Sequence, residues 1–435
     1  MGYSELKEQI KSAPISSVIG HYISLNKKGA NYEALCPFHT DSHPSLKVND
    51  NKGLFKCFAC DTAGDHISFV EKYKRIDFKD AIKEIAGILG YATDDLDKEF
   101  SNPKQDLALR VLSATNKIYR KMVTEHSPEE FNKFITSRGL TIDVATQFSL
   151  GFAPKTNVLS QYLKTLPASQ QKEAIKMAIE IGLIRKNETD ADTFDTFRER
   201  ILFPIWDQTG HVRGFGSRAT QTYQKAKYLN SQESFIFNKR NILYGFHLAK
   251  NHIRERDQVI LTEGYMDTIT MHQFDFKNTV ALMGIALSDY AIGLLKPLAS
   301  QFVLALDSDN AGFKAMEKIN ESLLEKGILA KYLDFKPHKD PDEFLHKEGR
   351  LTLQKRLDEA PMFLDVIINQ LIPENIPQVS DQKLVILNKV FQVLAPLKES
   401  LSATERVITT AKRLNFQSSA DSIQQSYVTF LNNIN

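Results

Sequence analysis

The chain has 435 residues, 42% of them hydrophobic and 25% charged, with a formal net charge of +2. That length is too great for one compact core and fits two to four domains. No apolar run approaches the ~20 residues that span a bilayer, and the charged start MGYSELKEQIKSAP lacks the apolar centre of an export signal. The reading is therefore a cytoplasmic protein with no membrane partner.

Residues 1–95 form a small first unit. Cys36-Pro-Phe-His39 is followed by Cys57-Phe-Ala-Cys60, and each pair has a two-residue spacer. Such spacing lets a tight turn aim two ligands at one ion, as tetrahedral Zn2+ requires. Three thiolates and an imidazole close the shell, so the site is predicted to be structural. All three cysteines of the chain fall in this pattern. Their odd number, without an export signal, argues against a disulfide framework. The alternative, three buried cysteines acting as small hydrophobes, leaves the spacing unexplained. His43 competes with His39 for the fourth position, the spacer favouring His39. His66 is placed on the following helix.

Tyr32 and Leu35, and Leu54, Phe55 and Lys56, flank the two pairs with β-forming residues and predict a zinc ribbon. Aromatic and basic residues interleave there (Tyr32, Lys47, Phe55, Lys56, Phe58), a composition that can stack bases and track phosphates. Each residue singly also fits ordinary packing of a small sheet. A helix is predicted from Asp77 to Leu89, with Phe78, Ile82, Ile85 and Leu89 on one face, Asp77 as N-cap and Gly90 beyond the end. The polar, acidic, proline-containing stretch 92–105 reads as a linker, assigned to 96–105.

Residues 106–256 are assigned to a second, basic, mixed α+β subdomain. It is predicted helical to about 185 and β-rich from Arg200 to Gly245. From Thr196 to Arg256 there are 11 Lys/Arg against 4 Asp/Glu, a balance suited to a polyanion. From Asp257 to Leu345 the balance reverses, with 8 Lys against 14 Asp/Glu. Two solvated surfaces of opposite sign would give the same numbers.

Within 257–345 strand and helix alternate: VILTE and a helix, TVALMG and LSDYAIGLLKPLA, FVLALD and a helix near 311–326, then ILAKYLDF. That order predicts a parallel sheet with helices on its faces. Residues 346–435 read as a helical subdomain. In a parallel α/β sheet the strand C-termini share one edge, where ligands bind. Glu263, Gly284 and Asp307 should meet there, with Asp309 beside Asp307, Asp340 and Asp342 approaching from the fourth strand, and Asp267 one helical turn beyond Glu263. Six converging carboxylates, with no basic partner between them, would repel unless cations were held. Hard oxygen donors select Mg2+ or Mn2+, and two such ions suit phosphoryl transfer at a 3′-hydroxyl. The plainer reading of each acid is a solvated loop residue or a helix N-cap.

Glu-Gly, Asp-x-Asp and Asp-Pro-Asp in this order resemble the Toprim domain. TEGYMD (262–267), the Cys36/His39/Cys57/Cys60 ribbon, RERILFPIWDQTGHVRGFGSR (198–218) and KYLNS (227–231) resemble the DnaG-type primase family more specifically. The resemblance runs from about residue 3 to 350. It implies a DNA-dependent RNA polymerase that makes short RNA primers for replication. The ribbon would engage single-stranded template, ribonucleoside triphosphates would be substrates, and the Toprim sheet would carry the metals. It implies one structural Zn2+ on Cys36, His39, Cys57 and Cys60. It also implies two or more catalytic Mg2+ or Mn2+, with Glu263, Asp307 and Asp309 as principal ligands and Asp267, Asp340 and Asp342 as further members. Arg138, Arg198, Arg200, Arg218, Lys227, Asn230 and Lys239 match nucleotide- or nucleic-acid-facing positions. The expected protein is a bacterial, cytoplasmic monomer at the replication fork.

The sequence departs from the family at Ser308 and Ser217, where glycine is usual, at Ile285, where threonine is usual, and at Ala59 in the second knuckle. Family members also carry a C-terminal helical domain that docks on the replicative helicase, and this sequence stops short of it. Two rivals remain at this stage. One is a Toprim nuclease or topoisomerase, although no tyrosine nucleophile is identifiable. The other is a zinc-ribbon single-strand binder with a degenerate acidic sheet.

Overall fold

A computed structural model describes residues 3–434 apart from 40, 75, 77, 92–101, 187–191 and 285. The chain divides into two compact units, Met1–Asp106 and Leu107–Asn435. Among the described residues no helix is long and apolar enough to cross a membrane.

The first unit is built on an antiparallel sheet in sequence order: β1 (Asn26–Lys28), β2 (Asn31–Ala34), β3 (Leu46–Asn49), β4 (Leu54–Cys57) and β5 (Ala63–Gly64). Alternation sets its inner face. In β3, Leu46 and Val48 are buried and Lys47 is exposed; in β4, Phe55 and Cys57 are buried and Lys56 is exposed. Helices Tyr3–Ser12, Ile15–Ile19, His66–Lys74 and Phe78–Leu89 complete the core with Leu6, Ile10, Val18, Phe69 and Ile85. The last helix is the one predicted over 77–89. Its buried face is Ala81, Ile82, Ile85 and Ala86, while Phe78 is exposed. Ala81 and Ala86 pack beside Ile82 and Ile85, and Phe78, in the first turn, is left 37% exposed. Gly90 takes φ +73, as a left-handed helix terminator should. Asp77 and most of the stretch read as linker lie outside the described residues. The tail of that stretch, 103–105, opens helix Pro103–His126, because the Asn102 side chain caps the backbone N–H of Lys104 and Gln105.

The second unit contains two four-stranded sheets and a small hairpin. The first sheet runs β11 (Tyr228–Asn230), β10 (Val212–Ala219), β9 (Arg200–Trp206), β6 (Gly151–Ala153), and is antiparallel. The stretch expected to be helical thus also contains β6, and it ends in the hairpin of β7 (Ile184–Lys186) and β8 (Thr193–Asp195). The second sheet is parallel, in the order β13 (Thr279–Ala281), β12 (Gln258–Thr262), β14 (Gln301–Leu304), β15 (Ala330–Tyr332). Near-continuous apolar runs in β12 and β14 are buried because helices cover both faces. One covering helix is Phe246–Arg256, whose Phe246, Ala249 and Ile253 share a core with Val259 and Leu261.

The two sheets share a core as well. Tyr265, Met266 and Ile269, on the helix after β12, pack with Phe203 and Phe215 of the antiparallel sheet. Helices Phe363–Leu371, Ser380–Leu394, Leu401–Arg413 and Ala420–Ile434 close the unit around Phe391, Leu394, Val407 and Tyr427. The chain is therefore a zinc-ribbon unit followed by a mixed α+β and parallel α/β core with a helical end.

Candidate metal centres and nucleic-acid interface

Cys36 follows β2, Cys57 ends β4, and the hairpins bring their turns together. Ligand atoms of Cys36, His39, Cys57 and Cys60 all lie within 4.8 Å of one another. The Cys36 and Cys60 sulfurs are 3.8 Å apart, and His39 Nδ1 is 4.0 Å from Cys57 Sγ. A tetrahedron of Zn–S bonds about 2.3 Å long has sulfur–sulfur edges of about 3.8 Å, so the donor set fits zinc in chemistry and in size. Nδ1 of His39 faces the sulfurs, and Nε2 turns to Asp41 Oδ1 at 3.8 Å. Asp41 also accepts hydrogen bonds from Cys36 N–H (2.9 Å) and Ser45 Oγ (2.5 Å), and these hold its carboxyl at about 2. It therefore ties a cysteine, a histidine and Ser45, just before β3, together around the ion position, the support expected of a carboxylate behind the ligands. Against the cost of burial, hydrogen bonds from Ser45 Oγ and from the Cys60 and Ala59 backbone hold the Cys57 thiol down at about 6. His43 bonds Ser42 and stands outside the ligand group. His66 is buried on its helix and bonds Ala13 O.

The aromatic residues of the ribbon separate into two roles. Phe55 is core, whereas Phe58 is 65% exposed with Lys47 and Lys56 ammonium groups each 5.5 Å from its ring centroid. An exposed ring flanked by two ammonium groups has the chemistry to take a base and a phosphate.

In the second unit the acidic residues gather beyond the C-terminal ends of β12 and β14. Glu263 follows β12; burial, then Asp307 and Asp309, push its carboxyl upward. Asp267 is buried and raised to about 8, by burial first and then by Asp340, Asp307 and Asp342. Its one hydrogen bond comes from Gly264 N–H at 3.0 Å. Asp340 is likewise raised, by burial first, with Asp307 and Asp342 adding to it. Burial and the neighbouring carboxylates together raise these three groups, and a cation would relieve that cost. The oxygen donor set fits a hard divalent ion.

The backbone around Asp307 is tightly folded. A Cβ on Gly312 would lie 2.1 Å from the Asp307 carbonyl oxygen, so only glycine fits there. Ser308, the departure from glycine, is used rather than merely tolerated: its N–H donates to Lys339 O and its Oγ accepts from Phe335 N–H. That latches the Asp307–Asp309 turn to the segment carrying Asp340. Ile285 lies outside the described residues.

Two expectations need correction. The six carboxylates do not stand free of basic partners. Lys339 Nζ is 3.1 Å from Asp307, and Arg138 Nη1 is 3.1 Å from Asp342. Nor do they close on one point. Among the described residues the ribbon set alone brings three or more ligand atoms together. Like charges stand apart, and each of four acids is engaged elsewhere: Asp307 and Asp342 on those cations, Asp309 and Asp340 as N-caps of the helices starting at Asn310 and Pro341. The capping reading of Asp309 and Asp340 is therefore true of the structure. It still leaves each carboxylate with further acceptor sites.

The basic residues divide as well. Arg218 lies between the rings of Phe134 and Tyr228, 5.3 and 5.9 Å from their centroids, close to Arg138 and Asp342. Arg198 is exposed against Phe194, and Lys227 is exposed beside β11. Lys239 follows in a short 3-10 turn, its Cε 4.0 Å from a Cβ built on Gly284, and so flanks the same sheet edge. Arg200 is set deeper than the others. It is 6% exposed, and its Nη2 donates to Ala226 O, which braces the Lys227 segment from below.

Sequence reasoning missed Lys339 and Tyr265. Tyr265 stacks on Phe203 (4.9 Å, 10°) and donates to Asn230 Oδ1 at 2.7 Å. A Cβ on Gly216 would lie 2.2 Å from the Tyr265 hydroxyl, so the glycine of β10 admits the tyrosine. The signal was present in TEGYMD and GFGSR, but nothing local says that the two motifs touch.

A closed Cys3His ribbon and a parallel sheet with an acidic C-terminal edge define a zinc-ribbon protein with a Toprim-type core. Three family patterns match in chain order: the CHC2 zinc finger over 3–101, the N-terminal domain of the DNA primase catalytic core over 118–250, and a Toprim-like domain over 260–345. The chain belongs to the DnaG-type DNA primase family.

A Clostridium acetobutylicum DNA primase is 34% identical over 405 residues, covering 92% of this chain and 65% of the relative. The zinc-binding and RNA polymerase domains of the Aquifex aeolicus primase superpose with a TM-score of 0.62 at 27% identity, covering 96% of this chain and 98% of that one. A DnaG primase catalytic domain bound to single-stranded DNA superposes with a TM-score of 0.64 at 25% identity, covering 72% and 98%. The chain spans under two thirds of the length of such curated relatives, 64% of a Helicobacter pylori primase for example.

Proposed function

We propose that this chain synthesises short RNA primers on single-stranded DNA by divalent-metal-dependent nucleotidyl transfer. The observation that carries the reading is the shared field at the C-terminal edge of the parallel sheet. There Glu263, Asp267 and Asp340 are raised by burial first and then by neighbouring carboxylates, beside a face bearing Arg138, Arg218 and Tyr228. The likeness to a catalytic domain bound to single-stranded DNA supports the choice of template.

In this account residues 1–95 engage template, with Phe58 as the stacking platform. Residues 106–256 hold nucleotide and primer–template, 257–345 hold the metals, and 346–435 buttress the sheet. Glu263, Asp307 and Asp309 hold Mg2+ or Mn2+, and Asp267 and Asp340 surround them. When bound, such ions lower the pKa of an attacking 3′-hydroxyl and neutralise charge on the transferring phosphate. Lys339, now on Asp307, stands at the same edge as a second source of positive charge. Arg198, Arg218, Lys227 and Lys239 bind triphosphate and nucleic-acid phosphates. Asn230, oriented by Tyr265, offers a fixed amide to nucleotide. Most of the catalysis is positioning and electrostatics.

The test is incubation with single-stranded template, four ribonucleotides and Mg2+, alongside Asp309→Ala. Short RNA products from the native protein, lost in the folded variant, are expected. Undiminished synthesis by Asp309→Ala would overturn the metal assignment, and absence of any RNA product from the native protein would overturn the reading.

A further inference from the structure

Asp342 belongs by sequence to the metal ligands, yet its surroundings are those of a bracket. It is 8% exposed. Oδ1 accepts from Thr270 Oγ1 at 2.5 Å and faces His346 Nε2 at 3.5 Å, while Oδ2 accepts from Arg138 Nη1 at 3.1 Å. Each oxygen therefore already has a partner, a hydroxyl with a ring nearby on one side and a guanidinium on the other.

The turn that carries Arg138 is fixed to the same elements at further points. Gln273, at the end of the helix after β12, donates to Gly139 O (2.8 Å) and accepts from Thr141 N–H (2.7 Å). Gly139 takes φ +57, and a Cβ there would lie 2.7 Å from the His346 ring. His346 thus fills the space between the turn and Asp342. Burial first, and then the nearby Arg138 guanidinium, disfavours the charge of Arg218, while Asp342 favours it. Asp342, buried and paired with Arg138, carries negative charge that favours both cations.

We propose that Asp342 is a positioning residue that orients Arg138, and not a ligand of the catalytic metals. Gln273 and His346 complete the clamp, which joins residues 204 positions apart in sequence. This inference rests on the proposed metal-dependent polymerase reading, but its test does not depend on primer synthesis.

Mn2+ binding is followed by electron paramagnetic resonance and binding of a labelled oligodeoxynucleotide by fluorescence anisotropy. The proteins compared are the native full chain, Asp342→Asn, Arg138→Ala and the double variant. Expected are Mn2+ affinities within about two-fold of native in all four, and oligonucleotide affinity lowered about ten-fold in each single variant and no further in the double, because the two residues act as one unit. A ten-fold loss of Mn2+ affinity in Asp342→Asn would overturn the proposal, as would losses that multiply in the double variant. Arg138→Ala supplies a check that does not need Asp342→Asn to fold. If Asp342 were a ligand held back by Arg138, removing the arginine would tighten Mn2+ binding, and a ten-fold gain would refute the positioning role. Native protein that binds Mn2+ and oligonucleotide but makes no primer would refute the polymerase reading and leave the comparison intact.

Discussion

Replacing Asp267 by Asn isolates the electrostatic strain at the sheet edge. The carboxyl is buried, receives one hydrogen bond from Gly264 N–H, and is raised from 3.8 to about 8, by burial first and then by Asp340, Asp307 and Asp342. Asparagine keeps the acceptor for Gly264 and removes the ionisation. Because its pKa in the folded protein lies above the unfolded value, the folded protein holds a proton that the unfolded chain releases. Stability from this group is present below about pH 4 and is lost as pH rises toward 8. That displacement corresponds to roughly 6 kcal/mol between the two protonation states.

The chain's one tryptophan, Trp206, lies in β9 of the second unit, so its fluorescence reports that unit's unfolding. In urea titrations without Mg2+, the variant should exceed native protein by only about 1–2 kcal/mol at pH 5 and by several kcal/mol, about 5–6, at pH 9. Mg2+ at pH 9 should stabilise native protein and narrow the gap. Parallel pH dependence in the two proteins would refute the argument that Asp267 sits in a field of carboxylates.

Gly312→Ala should destabilise the second unit by about 2–3 kcal/mol, since its Cβ would meet the Asp307 backbone at 2.1 Å; urea unfolding measures this. Cys57→Ser should release zinc to a chromogenic chelator and unfold the first unit, since structural zinc contributes on the order of 10 kcal/mol to such a domain; circular dichroism and zinc analysis follow it. Phe58→Ala should leave stability within about 0.5 kcal/mol, because the ring is exposed. It should weaken oligodeoxynucleotide binding by about five- to ten-fold, which anisotropy would detect.

What the sequence disclosed, and what it did not, follows from the range of the forces involved. The zinc ligands were legible because coordination geometry forces a short, fixed spacing, and Cys36 to Cys60 obey it. The acidic edge was legible because a parallel sheet brings strand ends together, so Glu263 and Asp307 could be placed from β12 and β14 alone. The strands β6 and β7 were hidden in a helical stretch because three residues carry no periodicity. Phe78 stays exposed on the face read for its helix because a helical wheel does not show where the core ends. The pairing of Asp342 with Arg138, the Lys339 pair with Asp307, and Tyr265 under Gly216 are tertiary contacts between distant segments. A reading of carboxylates without basic partners fails at the point where the chain folds back.

The most direct test of the central claim is Mn2+ titration of the zinc-loaded protein by electron paramagnetic resonance, with Asp309→Ala alongside. The account predicts that native protein takes up two or more Mn2+ and that the variant loses Mn2+ binding while keeping its zinc. Native protein that holds zinc but takes up no Mn2+, or a variant that binds it undiminished, would contradict the account.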